Sequence, residues 1–301
     1  MNTKEYRKPY DREYAEKYNE IWIESQLWAP EAKHHINTLK ELIAADTKWL
    51  DAGCGTGYFL SNFPGISRAG FDLSESMLVQ AKKANPDALF LKQANLLDEV
   101  SEWNNQWDLV TCTGQPWTYL PSMAAIGHAV KNISGYVNEN GKCMLTFFDL
   151  ADFTHHTLAA FNRESDLPDN IPYINGIFWN HLDNGVAHAD MILPSMDQWI
   201  RWFSRHFTKI EILKWPHDPP HLLLPRRLLL CSGKRQAGDV SETVIIEHPD
   251  HPVYQPPIPD VPAPAVPAPK ITDLPLSYFI QRFRPFTFNF WKKTIKFLLK
   301  R

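Results

Sequence analysis

The chain has 301 residues, 44% of them hydrophobic and 22% charged, with a formal net charge of −3. This is the composition of a globular protein with one sizeable domain plus appendages, or two small domains. The near-neutral average excludes a chain that binds nucleic acid by bulk charge, yet it hides an asymmetry. Lys270 to Arg301 carries +7, which leaves −10 for the rest.

Cys54, Cys112, Cys143 and Cys231 stand far apart with no C-x-x-C pair. That spacing argues against a disulfide framework or a metal site and for reduced thiols in a cytoplasmic protein. The first residues are charged and form no apolar run, so no secretory signal is expected. No stretch has the length of a membrane span.

Tyr10, Tyr14, Tyr18 and Trp22 recur every four residues, which predicts one face of a helix. Pro30 opens a second helix through Ile36, Leu39 and Leu42. From residue 48 the pattern alternates. Strands are expected at 48–52, 69–73, 88–92, 107–112 and 142–148, and helices at 57–63, 75–83 and 119–137. Asn138 to Gly141 reads as a turn. Strands alternating with helices imply a parallel sheet covered on both faces. Asp183-Asn184-Gly185 then signals a hairpin, within about 173–193. A helix at 196–207 and strands at 209–215 and 226–231 follow. Residues 249–269 hold nine of the 24 prolines and read as an extended linker.

Between the first strand and its helix lies Asp51-Ala52-Gly53-Cys54-Gly55-Thr56-Gly57. Glycines here let backbone approach a ligand, and a helix N-terminus offers N–H groups. The spacing is G-x-G-x-G, not the G-x-G-x-x-G of a dinucleotide fold. Asp72 follows about twenty residues later, at the end of the second strand, where a carboxylate accepts two hydrogen bonds from a ribose diol. Gln93-Ala94-Asn95-Leu96 follows the third strand, and Trp107-Asp108-Leu109-Val110-Thr111-Cys112-Thr113-Gly114 forms the fourth.

These ordered segments resemble the motifs of class I S-adenosylmethionine-dependent methyltransferases, in places those of glycine N-methyltransferase-like small-molecule enzymes. The resemblance is strong over about residues 45–150 and weaker over 195–232. It implies an α/β fold: a Rossmann-like, doubly wound, mostly parallel seven-stranded sheet with an inserted β-hairpin. It implies S-adenosylmethionine as cofactor, held by Tyr18, Asp51, Gly53, Gly55, Asp72, Leu73, Met77, Asn95, Leu96 and Thr113. Asn95 stands where the family often has an acid.

Acceptor-facing residues are expected outside the carboxyl ends of the strands. Gln115, Tyr119 and His155 are the catalytic candidates; Trp117, Asp149, His156, Trp179, His181 and His188 are further ones. The bland reading of each tryptophan is packing, and of each histidine a solvated loop. His217-Asp218-Pro219-Pro220-His221 resembles the D-P-P segment of base-amine methyltransferases but stands far from the fourth strand. That placement lowers the nucleic-acid reading.

The expected division is a helical lid over 1–44, a methyltransferase domain over 45–245, a Pro-rich linker over 246–270 and a basic aromatic tail over 271–301. In the tail Trp291, Ile295, Leu298 and Leu299 share one helical face, with Lys292, Lys293, Lys296 and Lys300 opposite. Such a segment suits a peripheral membrane or a protein partner equally. The expected activity is methyl transfer to nitrogen or oxygen of a small-molecule acceptor. The alternatives are a sugar or lipid-linked acceptor at a membrane, or a non-catalytic cofactor-binding scaffold.

Overall fold

The computed structural model describes residues 10–25, 28–148, 176–183, 186–214 and 226–247. Almost all of them fall in one compact unit; the hairpin tip, Leu182–Ala187, groups apart from it.

The two N-terminal helices are α1 (Arg12–Trp22) and α2 (Ala29–Leu42). Then come β1 (Lys48–Ala52), α3 (Tyr58–Ser61), β2 (Ser67–Asp72), α4 (Glu75–Ala84), β3 (Phe90–Gln93), β4 (Trp107–Cys112), α5 (Met123–Tyr136) and β5 (Val137–Phe148). The hairpin is β6 (Gly176–Asp183) paired with β7 (Val186–Pro194). The chain continues as α6 (Met196–Phe203), β8 (Phe207–Lys214), β9 (Arg226–Lys234) and β10 (Glu242–Glu247). Helix starts are set by side chains that accept from orphan backbone N–H groups. Asp11 caps α1, Ser74 α4, Ser122 α5 and Ser195 α6.

The main sheet runs β10-β8-β9-β5-β4-β1-β2-β3. It is parallel except that β9 lies antiparallel between β5 and β8. It therefore has eight strands, one more than the seven expected: β10 extends the edge parallel to β8. The sequence Glu242-Thr-Val-Ile-Ile-Glu247 is a short apolar run just before the prolines, and it finds its partner in Ile210 and Ile212 of β8. The turn expected at 138–141 lies inside β5, where the register against β4 slips between Trp107 and Leu109. Asn138 Nδ2 donates to Asp108 Oδ1 (2.6 Å) across this irregularity. The long helix expected from 119 starts at Met123, after a 3-10 turn over Pro116–Tyr119.

Alternation along the strands builds two cores. Trp49, Leu109, Met144 and Leu228 face one layer with Leu39 of α2, Leu60 of α3 and Leu78 and Ala81 of α4. Their neighbours Leu50, Val110, Leu145 and Leu229 face the other, with Ile126, Val130 and Ile133 of α5 and Trp199 and Phe203 of α6. This is a doubly wound sheet with both faces covered. The strand order reverses around β1, between β2 and β4, which is where open α/β sheets bind ligands beyond the carboxyl ends of the strands.

The catalytic candidate His155 lies outside the described residues, as do Asp149 and His156, most of the linker and the tail. Trp179, His181 and His188 fall on the hairpin strands, whose side chains there are also outside them. No helix among the described residues is long and apolar enough to cross a membrane.

Candidate active site

The site is built on the loop that leaves β1. Gly53 and Cys54 donate from their backbone N–H groups to the carbonyl of Phe71 (2.8 and 2.9 Å), tying the loop to β2. Gly53 has φ +69, and a Cβ there would sit 2.7 Å from Pro116 Cγ. Glycine is therefore required both by backbone conformation and by the close approach of the segment after β4. Gly57 caps α3 with φ +70, and a Cβ would meet the Asn85 amide at 2.5 Å. Asn85 uses that amide to donate to the carbonyls of Gly57 (3.0 Å) and Ala81 (3.1 Å), which clamps the loop to α4.

Two carboxylates stand at the strand ends. Asp72 accepts from the Gly55 N–H (2.9 Å) and the Ser74 N–H (2.8 Å). Burial pushes its carboxyl up, against the pull of these amides and that of Leu73. Asp51, only 2% exposed, accepts from the Thr111 hydroxyl (2.6 Å). Burial drives it up to about 7, opposed by the Thr111 bond and reinforced by the charge of Asp72. A ligand with positive charge, or with several donors, stabilises the ionised form of both.

The segment after β4 supplies the other wall. Thr113 is buried, Gly114 has φ +74 and Gln115 has φ +64, an uncommon conformation for a residue with a side chain. The carbonyl of Gln115 accepts from the N–H (3.1 Å) and hydroxyl (2.8 Å) of Thr118, which holds the bend. The side chain of Gln115 is 2% exposed, and neither its Oε1 nor its Nε2 has a hydrogen-bond partner. A buried primary amide without partners is expensive, so its retention points to a ligand. Trp117 follows its packing reading: its ring is buried against Trp199 and donates to the Thr146 carbonyl (3.2 Å).

Helix α1 covers the loop. Thr56 Oγ1 donates to Asn19 Oδ1 (2.5 Å), and Ser74 Oγ donates to the Tyr10 carbonyl (3.2 Å). The rings of Tyr10, Tyr14 and Tyr18 meet edge to face at 5.4 and 5.8 Å. Tyr10 also meets Tyr119 at 6.5 Å. Burial, these neighbouring tyrosines and its bond to Tyr119 push the Tyr10 phenol well above its usual value.

Of the expected residues, the geometry joins Gly55 to Asp72, Asp51 to the field of Asp72, and Gly53 to the turn that bears Gln115. Met77 joins them, with its methyl 3.9 Å from a Cβ built on Gly55. Leu73 links β2 to α4, and its carbonyl accepts from Gln93 (2.8 Å). Asn95 Oδ1 accepts from the Leu97 N–H (3.0 Å), which leaves its amide group and a second lone pair for a ligand. Leu96 is buried, its carbonyl held by Asn132 (3.0 Å). Tyr18 contacts Tyr14, whereas the tyrosine that reaches across the site is Tyr10. Sequence reasoning missed Tyr10, Asn19, Thr111 and Pro116. Tyr10 shared the four-residue spacing and was legible; Asn19 on α1, Thr111 on β4 and Pro116 after β4 matter only through tertiary contacts, which no spacing records.

A glycine loop after the first strand of such a sheet, with an acid ending the second, defines a nucleotide-type cofactor site at the switch point. Residues 50–141 match the model of the methyltransferase domain family. Over these residues the chain carries a methyltransferase domain. No curated protein sequence matches it significantly. Among solved structures, a protein from Pyrococcus horikoshii aligns at 16% identity with TM-score 0.52, over 72% of this chain and 99% of that one. It shares the fold. A SAM-dependent methyltransferase from Methanosarcina mazei aligns at 13% identity and TM-score 0.49, over 68% of this chain and 98% of its own. The DhpI–SAH complex aligns at 15% and 0.48, over 75% and 95%.

Proposed function

We propose that this enzyme methylates a nitrogen or oxygen of a small-molecule acceptor, with residues 45–245 as the catalytic unit and residues 1–44 as its lid. The bound cofactor supplies a sulfonium-activated methyl group, so the chain's task is alignment and exclusion of water. Asp72 accepts from the ribose hydroxyls while the Gly55 N–H keeps it turned to the loop. Gly53 and Gly55 let backbone approach the cofactor, with Leu73, Met77, Leu96 and Thr113 as apolar and small walls. Asn95 reads the adenine edge, and Tyr18 closes the lid side. Asp51 faces the positive charge of the amino-acid end. Gln115 and Tyr119 line the acceptor side, where a hydroxyl acceptor needs a proton taken and a neutral amine does not. His155 is kept as an acceptor-side candidate.

The observation that carries the reading is the buried, partnerless amide of Gln115 beside the cofactor loop. Support for a small acceptor comes from the lid: α1 reaches over Thr56 and Ser74, and Tyr10 meets Tyr119. A covered site favours a compact acceptor over a polymer surface.

Calorimetric titration of the full chain with S-adenosylmethionine, S-adenosylhomocysteine and NAD tests the cofactor side. Micromolar binding of the first two, none of NAD, and a loss of about tenfold or more in Asp72→Ala are expected. Transfer of a labelled methyl group to a panel of amines and alcohols then tests the acceptor. Failure of folded wild-type protein to bind either adenosyl ligand sinks the reading.

A further inference from the structure

Asp51 is held from the neighbouring strand, by Thr111 of β4. In the parallel register of β1 against β4, Asp51 stands beside Thr111, and Trp49 beside Leu109. Residues two apart share a face, so Trp49, Asp51 and Thr111 all turn toward the layer of α2, α3 and α4. There they form a chain of two hydrogen bonds. Trp49 Nε1 donates to Thr111 Oγ1 (2.8 Å), and Thr111 Oγ1 donates to Asp51 Oδ1 (2.6 Å). Trp49 and Thr111 are fully buried, and Phe63 packs edge-on against the indole at 5.6 Å.

The order of donors has a consequence. An indole N–H donates and never accepts, so it occupies a lone pair of the Thr111 oxygen. The hydroxyl proton is left for Asp51, whose oxygen is obliged to accept it. A hydroxyl proton bonds an ionised carboxylate more strongly than a carboxylic acid, so the relay favours the ionised form at a place where burial opposes it. The other groups that act on Asp51 all disfavour its charge or are neutral. They are the carboxylate of Asp72 on β2 and the thiols of Cys54 in the loop and Cys112 on β4, both pushed well above their usual range by burial. Among the groups acting on Asp51, Thr111 is the one that stabilises its charge.

We propose that Thr111, oriented by Trp49, is a positioning residue that keeps Asp51 ionised and turned for the cationic end of the cofactor, and so sets the pH above which the cofactor binds tightly. This rests on the cofactor reading given above. Ionisation of Asp51 is the step that gates affinity, and the relay places it near neutrality instead of above it.

The test uses the full chain and two readouts. Infrared difference spectroscopy from about pH 5 to about pH 9, with Asp51→Asn assigning the carboxyl band, reads the charge without cofactor. The wild-type midpoint is expected at about 7. Thr111→Val keeps shape and removes the donor, and is expected to raise the midpoint by about one unit. Thr111→Ser is expected to restore it, and Trp49→Phe to move it less, in the same direction as valine. Calorimetry with S-adenosylmethionine is then expected to show about fivefold weaker binding in Thr111→Val at pH 7, with recovery at high pH. An unmoved midpoint with unmoved affinity overturns the relay while wild-type binding leaves the cofactor reading intact. A moved midpoint with unchanged affinity overturns its role in binding. Absence of binding by the wild type overturns both.

Discussion

Gln115 shows how a single residue can be placed against stability. Its amide is buried without partners and its backbone is left-handed, so the folded chain without ligand carries an unmet desolvation penalty. Gln115→Met keeps the length and removes the polar atoms. We expect thermal unfolding to show a gain of about 1 kcal/mol without ligand, together with methyl transfer slowed by tenfold or more. A variant that is less stable and equally active assigns the amide to packing instead. Asp51 behaves in the same sense. Its folded carboxyl is raised to about 7, so the folded chain holds the proton more tightly than the unfolded chain between the ordinary carboxylate value and that point. Stability is thereby lost as pH rises through this window. Asp51→Asn is expected to raise the melting temperature by about 5 °C at pH 8, and to weaken S-adenosylmethionine binding. This pairing of stability gained with binding lost is what a carboxylate kept for a ligand produces.

Among the elements, the loop after β1 and the segment after β4 matter as a pair. Gly53 faces Pro116 so closely that Gly53→Ala must either shift the Pro116 ring or twist the loop out of its positive φ. The expected result is a folded protein, about 1–3 kcal/mol less stable in denaturant titration, with cofactor affinity below detection. Gly53, Gly55, Asp51 and Asp72 were legible because they follow one another at fixed distances from strand ends, which local spacing records. The partner side was not legible in the same way. Pro116 meets Gly53 only because Gly114 and Gln115 take successive left-handed conformations, and nothing about Gln115 as a residue type announces that. Thr111 was visible as a strand residue, but its hydroxyl matters only through the cross-strand register with Asp51. The eighth strand was misjudged because an apolar hexapeptide next to a proline tract reads equally as the end of a domain.

The whole molecule was legible as a doubly wound sheet because alternating strand and helix patterns admit few packings. Its acid response follows from groups remote from the site. Arg68, buried, holds Asp87 through two hydrogen bonds, which keeps that carboxyl down at about 2. Its contribution is present above the ordinary carboxylate value and is lost as pH falls toward 2. His206 is held down at about 4 by burial and by the charges of Lys234, Arg205 and Lys131. The unfolded chain takes up its proton first, so stability also falls as pH drops from about 6.5 toward 4. Melting curves over that range are expected to slope less in His206→Phe than in wild type, the two converging near neutral pH.

The proposed lid is held in place by few groups of its own helix. Within α1 only Ala15 is buried, and the described bonds that hold it over the loop are those of Asn19 with Thr56 and of the Tyr10 carbonyl with Ser74, together with ring edges. No described residue of α1 belongs to either core, so as the proposed lid it can lift without disturbing them. On that proposed reading, exchange of spent for fresh cofactor waits on its departure, and the enzyme's speed limit is set by a helix that takes no part in the bond being made. Asn19→Ala is expected to release S-adenosylhomocysteine about tenfold faster in stopped-flow displacement. Where product release limits turnover, losing this single contact makes the enzyme quicker and its hold on the cofactor poorer.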